Sequence, residues 1–318
     1  MEDVPLYIRE EEVAKLLDVS TAINVLKDAF RMQSEGKAVS LPRSRIRTEN
    51  GILNVLPSTA EGLAVSGLKA YFGGRNGVSF VVLLFSTAEC KPLAIIEAER
   101  LGQIRTGAVT GMVTDIMADI NARIAGCIGS GYQAETQIEA ICNVRRIDTF
   151  YVYSRNAGNR EKFAATMGRR VNADVVAVPD RSMFRETEII VTATNSRIPV
   201  ISHQEIPEHC HINAIGANRI ESRELDAETL CSAEEIVVDS VEQSKVESGD
   251  LAAAVSSGCI GWDDINEIRD LVSGRRKKIK GRRGGITIFK SLGIGLEDLA
   301  VGAYVYRRAA ETGLGTRL

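Results

Sequence analysis

The stretch from Arg123 to Ala134 carries a pattern with definite chemistry. Arg123-Ile124-Ala125-Gly126-Cys127-Ile128 reads as a short buried strand, and Gly129-Ser130-Gly131-Tyr132-Gln133-Ala134 opens a helix continuing through Thr136-Gln137-Ile138-Glu139-Ala140. Gly-x-Gly-x-x-Ala between a strand and a helix is a cradle for the pyrophosphate of a dinucleotide. Gly129 permits the tight turn, Gly131 lets the backbone approach the phosphates, and Ala134 is small enough for helix and strand to pack. Ser130, Tyr132 and Gln133 complete the loop, and the first helical amides face the phosphates with the favourable end of the helix dipole.

The next strand bears on which dinucleotide. An NAD enzyme usually carries Asp or Glu about 20 residues past the glycines, on the ribose 2′-hydroxyl. Here the strand ends Tyr151-Val152-Tyr153-Ser154-Arg155-Asn156, without a carboxylate. Ser154 and Asn156 can donate hydrogen bonds and Arg155 can pair with a 2′-phosphate. NADP(H) is favoured, and NAD(H) stays open. Thr192-Ala193-Thr194 ends another strand at the carboxyl edge of the same sheet, where dinucleotides lie in such folds.

These residues need a parallel sheet to position them. From residue 123 onward strands alternate with helices, with strand candidates at 124–128, 149–153, 188–193, 211–215 and 235–238. That alternation predicts a doubly wound, Rossmann-type parallel sheet. The region before it differs. Residues 9–35 predict one helix, with Val13, Leu16, Leu17, Ala22, Val25, Leu26 and Phe30 at helical spacing. Runs at 52–56, 67–71 and 79–85 predict a small β-meander, followed by a helix over 101–117. A loop near Gly274 leads through Ile286-Thr287-Ile288-Phe289 to a last helix at 296–310, expected to pack back on the first region. The expected organisation is an α/β protein: a β-rich α+β domain of residues 1–118 and 290–318, and a nucleotide-binding domain of residues 119–289.

Composition narrows the class. Hydrophobic residues at 44% and charged residues at 25% fit a soluble globular protein, and the formal net charge of −3 argues against coating nucleic acid. No apolar run is long enough to span a membrane, and the start Met1-Glu2-Asp3-Val4-Pro5 does not read as a signal peptide, so a cytoplasmic location is expected. Cys90, Cys127, Cys142, Cys210, Cys231 and Cys259 are scattered, and reduced buried thiols are expected. His203, His209 and His211 are the only histidines. No acidic partner lies close to His209-Cys210-His211, so no metal site is expected. The basic run Arg275-Arg276-Lys277-Lys278, with Lys280, Arg282 and Arg283, reads as a solvated loop.

Five segments occur in an order that is itself informative: Gly67-Leu68-Lys69-Ala70-Tyr71, Ile104-Arg105-Thr106-Gly107-Ala108, Val191-Thr192-Ala193-Thr194, His211-Ile212-Asn213-Ala214-Ile215-Gly216-Ala217 and Ile288-Phe289-Lys290-Ser291-Leu292-Gly293. Together they resemble the ornithine cyclodeaminase/μ-crystallin family over almost the whole chain. The resemblance implies a homodimer paired through the β-rich domain, and hydride exchange at the α-carbon of a small amino or imino acid. It implies a carboxylate-binding basic cluster of Arg43, Lys69 and Arg105, with Lys69 also able to orient or protonate an imine. Arg43, Arg45 and Arg47 alternate, so the sequence leaves open which of them reaches the site. The resemblance also places Thr106 on the cofactor phosphates, Ser291 and Leu292 near the nicotinamide, and Asn54 in the substrate pocket.

One position departs from the cyclodeaminase pattern. Where those enzymes carry an Asp with a proton-handling role, this chain has Asn218, and an amide is no general base at neutral pH. The alanine dehydrogenase of the family resembles the Asp form, whereas μ-crystallin, a ketimine reductase, also lacks it. Asn54 likewise differs from the charged residues of the cyclodeaminase and alanine dehydrogenase. The expectation is an NADPH-dependent reductase of small cyclic imino acids such as Δ1-pyrroline-2-carboxylate or Δ1-piperideine-2-carboxylate, with Lys69, Arg105 and Asn218 at the reacting centre. Ornithine cyclodeaminase, an alanine dehydrogenase and a non-enzymatic NADPH-dependent binding protein are the alternatives.

Overall fold

The computed structural model describes residues 4–279 and 285–318. Lys280, Arg282 and Arg283 of the basic run, and Met1, Glu2 and Asp3, lie outside the described residues. The chain forms two compact units, Met1–Val109 with Gly293–Leu318, and Thr110–Leu292. The first division falls inside a helix rather than in a linker.

The chain starts with β1 (Leu6–Ile8), α1 (Glu10–Leu16) and α2 (Val19–Ser34). The single helix expected over 9–35 is thus two. Leu17 leaves helical geometry, and the Asp18 carboxylate accepts from the Thr21 amide at 2.7 Å, capping α2. Apolar spacing runs through the break because both helices bury the same face, and the cap decides where one stops. There follow β2 (Ala38–Ser40), β3 (Ser44–Arg47), β4 (Gly51–Ala60), β5 (Val65–Gly74), β6 (Gly77–Ser86), β7 (Lys91–Glu97) and α3 (Glu99–Met117).

The second unit contains β8 (Ile124–Ile128), α4 (Tyr132–Val144), β9 (Thr149–Tyr153), α5 (Ala157–Met167), β10 (Asp174–Ala177), β11 (Ile189–Thr192) and β12 (His209–Ala214). It continues with α6 (Ala227–Ser232), β13 (Glu235–Val238), α7 (Val241–Glu247), α8 (Gly249–Ser256), β14 (Asn266–Glu267), α9 (Ile268–Val272) and β15 (Gly285–Lys290). The chain then returns to the first unit with α10 (Gly295–Thr312) and β16 (Thr316–Arg317).

The first unit is a sheet of order β16-β1-β7-β6-β5-β4-β2, with β3 also paired to β4. Its long meander β4 to β7 is antiparallel, and β1 joins β7 in parallel. Alternation along the strands sends one set of side chains under α10, which packs on β4, β5 and β6. Gly302 of α10 lies against Val82, Leu84 and Ile96. Leu56, Lys69, Val82 and Ile96 form one cross-strand row on this inner face. The opposite face carries Ile46, Leu53, Val55, Leu68, Phe72, Val81, Leu83 and Phe85, with Ile46 62% and Phe72 41% exposed.

The second unit is an all-parallel sheet of order β10-β9-β8-β11-β12-β15-β13-β14, the doubly wound Rossmann type expected. Its strands are continuous buried runs, as Ile189–Thr192 and Glu235–Val238 show, because helices cover both faces. Strand order reverses between β8 and β11, which opens a crevice at their carboxyl ends.

The cysteines correct one expectation. Cys231 and Cys259 form a disulfide, with Cα atoms 5.6 Å apart, tying the end of α6 to the turn after α8. Their 28-residue separation gives no cue, since the two helices meet only after β13 has joined the sheet. Cys127, Cys142 and Cys210 remain thiols, and burial pushes each up to about 12.

Candidate active site

The candidate residues fall into two groups, one in each unit, and each group is described within its own.

In the parallel sheet, Gly129 follows β8 with φ +128°, a backbone conformation only glycine adopts without strain. A Cβ there would also strike the Ala193 carbonyl beyond β11, so the turn closes directly on the next strand's loop. Gly131 is the N-cap of α4 and makes no side-chain cap, while a Cβ on it would meet nothing within 4 Å. A helix start without a side-chain cap, open space beside Gly131 and a fully buried Ala134 behind them make a cradle that fits a pyrophosphate. Tyr132 and Gln133 form the first turn of α4, Tyr132 being exposed.

At the end of β9 the Ser130 hydroxyl donates to the Ser154 hydroxyl at 2.9 Å, and Ser154 donates to the Asn156 carbonyl at 3.3 Å. Asn156 has a local task, since its side chain caps α5 by accepting from the Asn159 amide at 2.9 Å. Arg155 is exposed. Tyr153 lies beside two guanidinium groups, Arg160 at 5.9 Å and Arg181 at 5.5 Å from its ring centroid.

At the carboxyl ends of β11 and β15, three of the remaining candidates, Thr194, Ser291 and Leu292, are held by carboxylates that the sequence reading did not single out. Thr192 is buried, and the Ala193 amide donates to the Ile128 carbonyl at 2.8 Å. Thr194 donates twice to Glu224. The Ser291 hydroxyl (3.3 Å) and the Leu292 amide both donate to Asp239, and Leu292 is only 4% exposed. Asn218 is half-buried in the loop after β12.

In the β-rich unit, Arg43, Lys69 and Arg105 converge on the start of α10. Arg43 and Arg105 are 8% exposed and Lys69 4%. Arg43 donates to the Gly293 carbonyl at 3.1 Å, and Gly293 turns at φ +73°, where a Cβ would run into the Arg105 guanidinium. Lys69 Nζ donates to Asp298 at 2.8 Å. Arg105 donates to the same carboxylate at 3.1 Å and to Glu297 at 2.6 Å. Both carboxylates are fully buried in the first turn of α10, where the helix dipole also favours negative charge.

Of the alternating arginines, Arg43 is the buried one, Arg45 is half-buried and Arg47 exposed. Arg45 donates to the Asn54 side chain at 3.1 Å, so Asn54, 5% exposed, sits one cross-strand row from Lys69, beside Tyr71. Thr106, on α3, donates to the Gly102 carbonyl at 2.7 Å.

Electrostatics single out Lys69. Burial lowers its affinity for the proton, Arg105 and Arg43 push the same way, and the attraction of Asp298 only partly restores it, leaving a pKa of about 8. For Asp298, burial alone would push the carboxyl up, but Arg105 and Lys69 outweigh it and hold the group below the ordinary value. Three cationic side chains and two carboxylates are thus gathered at one buried place. Among the described residues no three His, Cys, Asp or Glu side chains are placed to hold a metal ion.

A Rossmann-type sheet with a glycine cradle, joined in one chain to a β-sheet unit with a buried basic cluster, defines an α/β protein of the dinucleotide-binding class. The profile of the ornithine cyclodeaminase/mu-crystallin family matches residues 4–313, and the chain belongs to that family. It is 34% identical to an alanine dehydrogenase of Archaeoglobus fulgidus, over 98% of both chains. The structure of the Thermococcus litoralis Δ1-pyrroline-2-carboxylate reductase in complex with NADH and L-proline is similar at a TM-score of 0.92 and 33% identity, covering 98% of this chain and 100% of that one. An archaeal alanine dehydrogenase dimer with bound NAD aligns at a TM-score of 0.90 and 32% identity, over 99% of this chain and 98% of that one.

Proposed function

We propose that the protein is a nicotinamide-dependent reductase of small cyclic imino acids, of the Δ1-pyrroline-2-carboxylate and Δ1-piperideine-2-carboxylate type. The observation that carries this reading is the buried basic cluster: Arg43 and Arg105 gathered with Lys69, an ammonium of pKa about 8, at the start of α10. Arg43 and Arg105 take the substrate carboxylate, each able to bond it through two N–H groups. Lys69, close to neutral in its proton affinity, holds the imine nitrogen and supplies its proton directly or through one water. Asn54 and the Arg45 that holds it meet the distal part of the ring. The cofactor, when bound, supplies the hydride that the C=N carbon receives.

Gly129, Ser130, Gly131, Tyr132, Gln133 and Ala134 cradle the pyrophosphate, with Thr106 contributing to the phosphates. Ser154 and Asn156 lie at the adenosine ribose, and exposed Arg155 is the partner for a 2′-phosphate, so NADPH is preferred over NADH. Thr192, Ala193, Thr194, Ser291 and Leu292 line the nicotinamide half. Asn218 donates or accepts a hydrogen bond there and, as an amide, abstracts no proton. That absence of a general base favours a preformed imine over ornithine, whose cyclodeamination also requires proton removal from the α-carbon. The exposed apolar sheet face around Phe72, Val81 and Phe85 pairs two subunits, in keeping with the dimeric archaeal relative.

The test is oxidation of NADPH and of NADH with Δ1-pyrroline-2-carboxylate, with pyruvate plus ammonia, and with no acceptor. Turnover of the cyclic imine well above that of pyruvate plus ammonia is expected, with NADPH the better donor. Efficient reduction of pyruvate plus ammonia without turnover of the cyclic imine replaces this reading with an alanine dehydrogenase, which the identity to the Archaeoglobus enzyme favours. In Arg155→Ala the preference for NADPH is lost while NADH turnover is kept.

A further inference from the structure

Glu224 is fully buried, 30 residues beyond Thr194, and takes no part in the chemistry above. Its carboxylate is surrounded by donors from two loops. One oxygen accepts from the Thr194 amide at 2.7 Å and the Thr194 hydroxyl at 2.8 Å. The other accepts from the Gly216 amide at 2.6 Å and the Ala217 amide at 3.1 Å. Four donors use essentially the whole accepting capacity of an ionised carboxylate. The loops are those leaving β11 and β12, and they approach so closely that a Cβ on Gly216 would collide with the Thr194 backbone.

The hub continues one layer further. Asp250, at the start of α8, accepts from the Glu224 amide at 2.6 Å and the Leu225 amide at 2.9 Å. Lys290, fully buried at the end of β15, donates to the Ala217 carbonyl at 2.6 Å and lies 3.2 Å from Asp250. Two buried anions and one buried cation are thereby committed to backbone groups at the carboxyl ends of three adjacent parallel strands. Burying charge is costly, and replacing such a set by apolar residues is often neutral or stabilising, so stability alone is a weak reason for it.

In a doubly wound sheet the two halves of a dinucleotide lie on either side of the switch point. The glycine turn and Ser154 serve the β8–β9 side. Glu224 serves the β11–β12 side alone, since Ala193 is already tied to β8 through its own amide. We infer that Glu224 is a positioning residue for the nicotinamide half of the cofactor: it fixes the β11 and β12 loops as one floor, which carries Thr194 and Asn218. This rests on the dinucleotide reading proposed above.

The experiment compares the affinity of the full-length protein for NADH with that for ADP-ribose, which lacks the nicotinamide. In Glu224→Gln one accepting oxygen becomes an amide NH2 facing donors, so the NADH Kd rises by about tenfold or more, while the ADP-ribose Kd stays within about twofold. Gly216→Ala wedges the same loops apart, its Cβ pressing on the Thr194 backbone and on the Glu224 carboxylate without removing a charge, and Thr194→Val removes a single donor. Both shift NADH binding the same way, Thr194→Val the least, and they keep the test available should Glu224→Gln fail to fold. Equal weakening of both ligands, as from general loosening of the sheet, overturns the inference but leaves the cofactor reading standing. So does an unchanged NADH Kd. If the wild type binds neither ligand, nor NADPH and 2′-phospho-ADP-ribose used in their place, the cofactor reading falls and this inference with it.

Discussion

Asp298→Asn removes one charge from the buried cluster while changing its shape little. The carboxylate lies 2.8 Å from Lys69 Nζ, and attraction between unit charges at that distance is about 1.5 kcal/mol even at the dielectric constant of water. That is a factor of about ten in acid dissociation, and the interior makes it larger. Lys69 is already depressed to about 8, first by burial and then by Arg105 and Arg43, with Asp298 the main restoring influence. Without that influence the ammonium loses its proton at lower pH. In the proposed mechanism protonated Lys69 supplies the proton, so kcat/KM for the imine is expected to fall as pH rises, with the limb near pH 8 in the wild type. In Asp298→Asn the limb moves toward neutral pH by about one pH unit or more, so the loss of rate at pH 8 far exceeds that at pH 6. The assay is a pH series of kcat/KM for both proteins, with cofactor affinity measured in parallel. A limb that stays in place or moves to higher pH refutes the assignment of the proton to Lys69. So does a wild-type profile that is flat from pH 7 to pH 9.

Three further outcomes follow from other parts of the molecule. His211 is fully buried, and burial pushes its imidazole down to about 4 from 6.5, so the unfolded chain takes up a proton that the folded chain refuses. Stability therefore falls by about 3 kcal/mol as pH drops from 6.5 to 4, and His211→Gln flattens that part of a denaturation series, while an unchanged slope contradicts it. The Cys231–Cys259 bridge closes a 28-residue span, which by loop entropy is worth about 3.5 kcal/mol. Reductant then lowers the unfolding midpoint of the wild type and leaves that of Cys231→Ser unmoved. If the open sheet face pairs two subunits as proposed, Phe85→Glu or Val81→Glu places a charge in that interface, and sedimentation is expected to show a dimeric wild type and monomeric variants; a monomeric wild type refutes the pairing.

The parallel sheet was largely legible because its signals are local. Strands 124–128, 149–153 and 235–238 match β8, β9 and β13 end for end, each a compact buried run beside turn residues. Glycines and basic residues also announce themselves by type. What escaped is what other parts of the fold supply. Glu297 and Asp298 read as ordinary acids of a helix's first turn, and only the fold sets them against Lys69 and Arg105, some 190 to 230 residues earlier in the chain. Glu224 and Asp239 look like loop carboxylates until the strand order brings four carboxyl ends together. Choosing among Arg43, Arg45 and Arg47 required the point where β3 begins, since Arg43 precedes the strand and is not bound by its alternation. Short strands such as β1 and β16 carry too few residues for a periodic signal: β1 forms by pairing with β7 and packing on α10, and β16 by pairing with β1.

The return of α10 to the first unit also sets a schedule for the newborn chain. Lys69 and Arg105 emerge from the ribosome long before Asp298 and Glu297, with the whole of the parallel sheet made in between. Until the last helix arrives, the β-meander lacks its apolar cover, and Arg43, Lys69 and Arg105 lack the carboxylates that make their burial tolerable. The inserted sheet is contiguous and can close first, whereas the outer unit waits for synthesis to finish. A chain halted before residue 295 thus presents an open sheet with exposed strands and a stranded positive charge, a species for chaperones or proteases rather than a partly working protein.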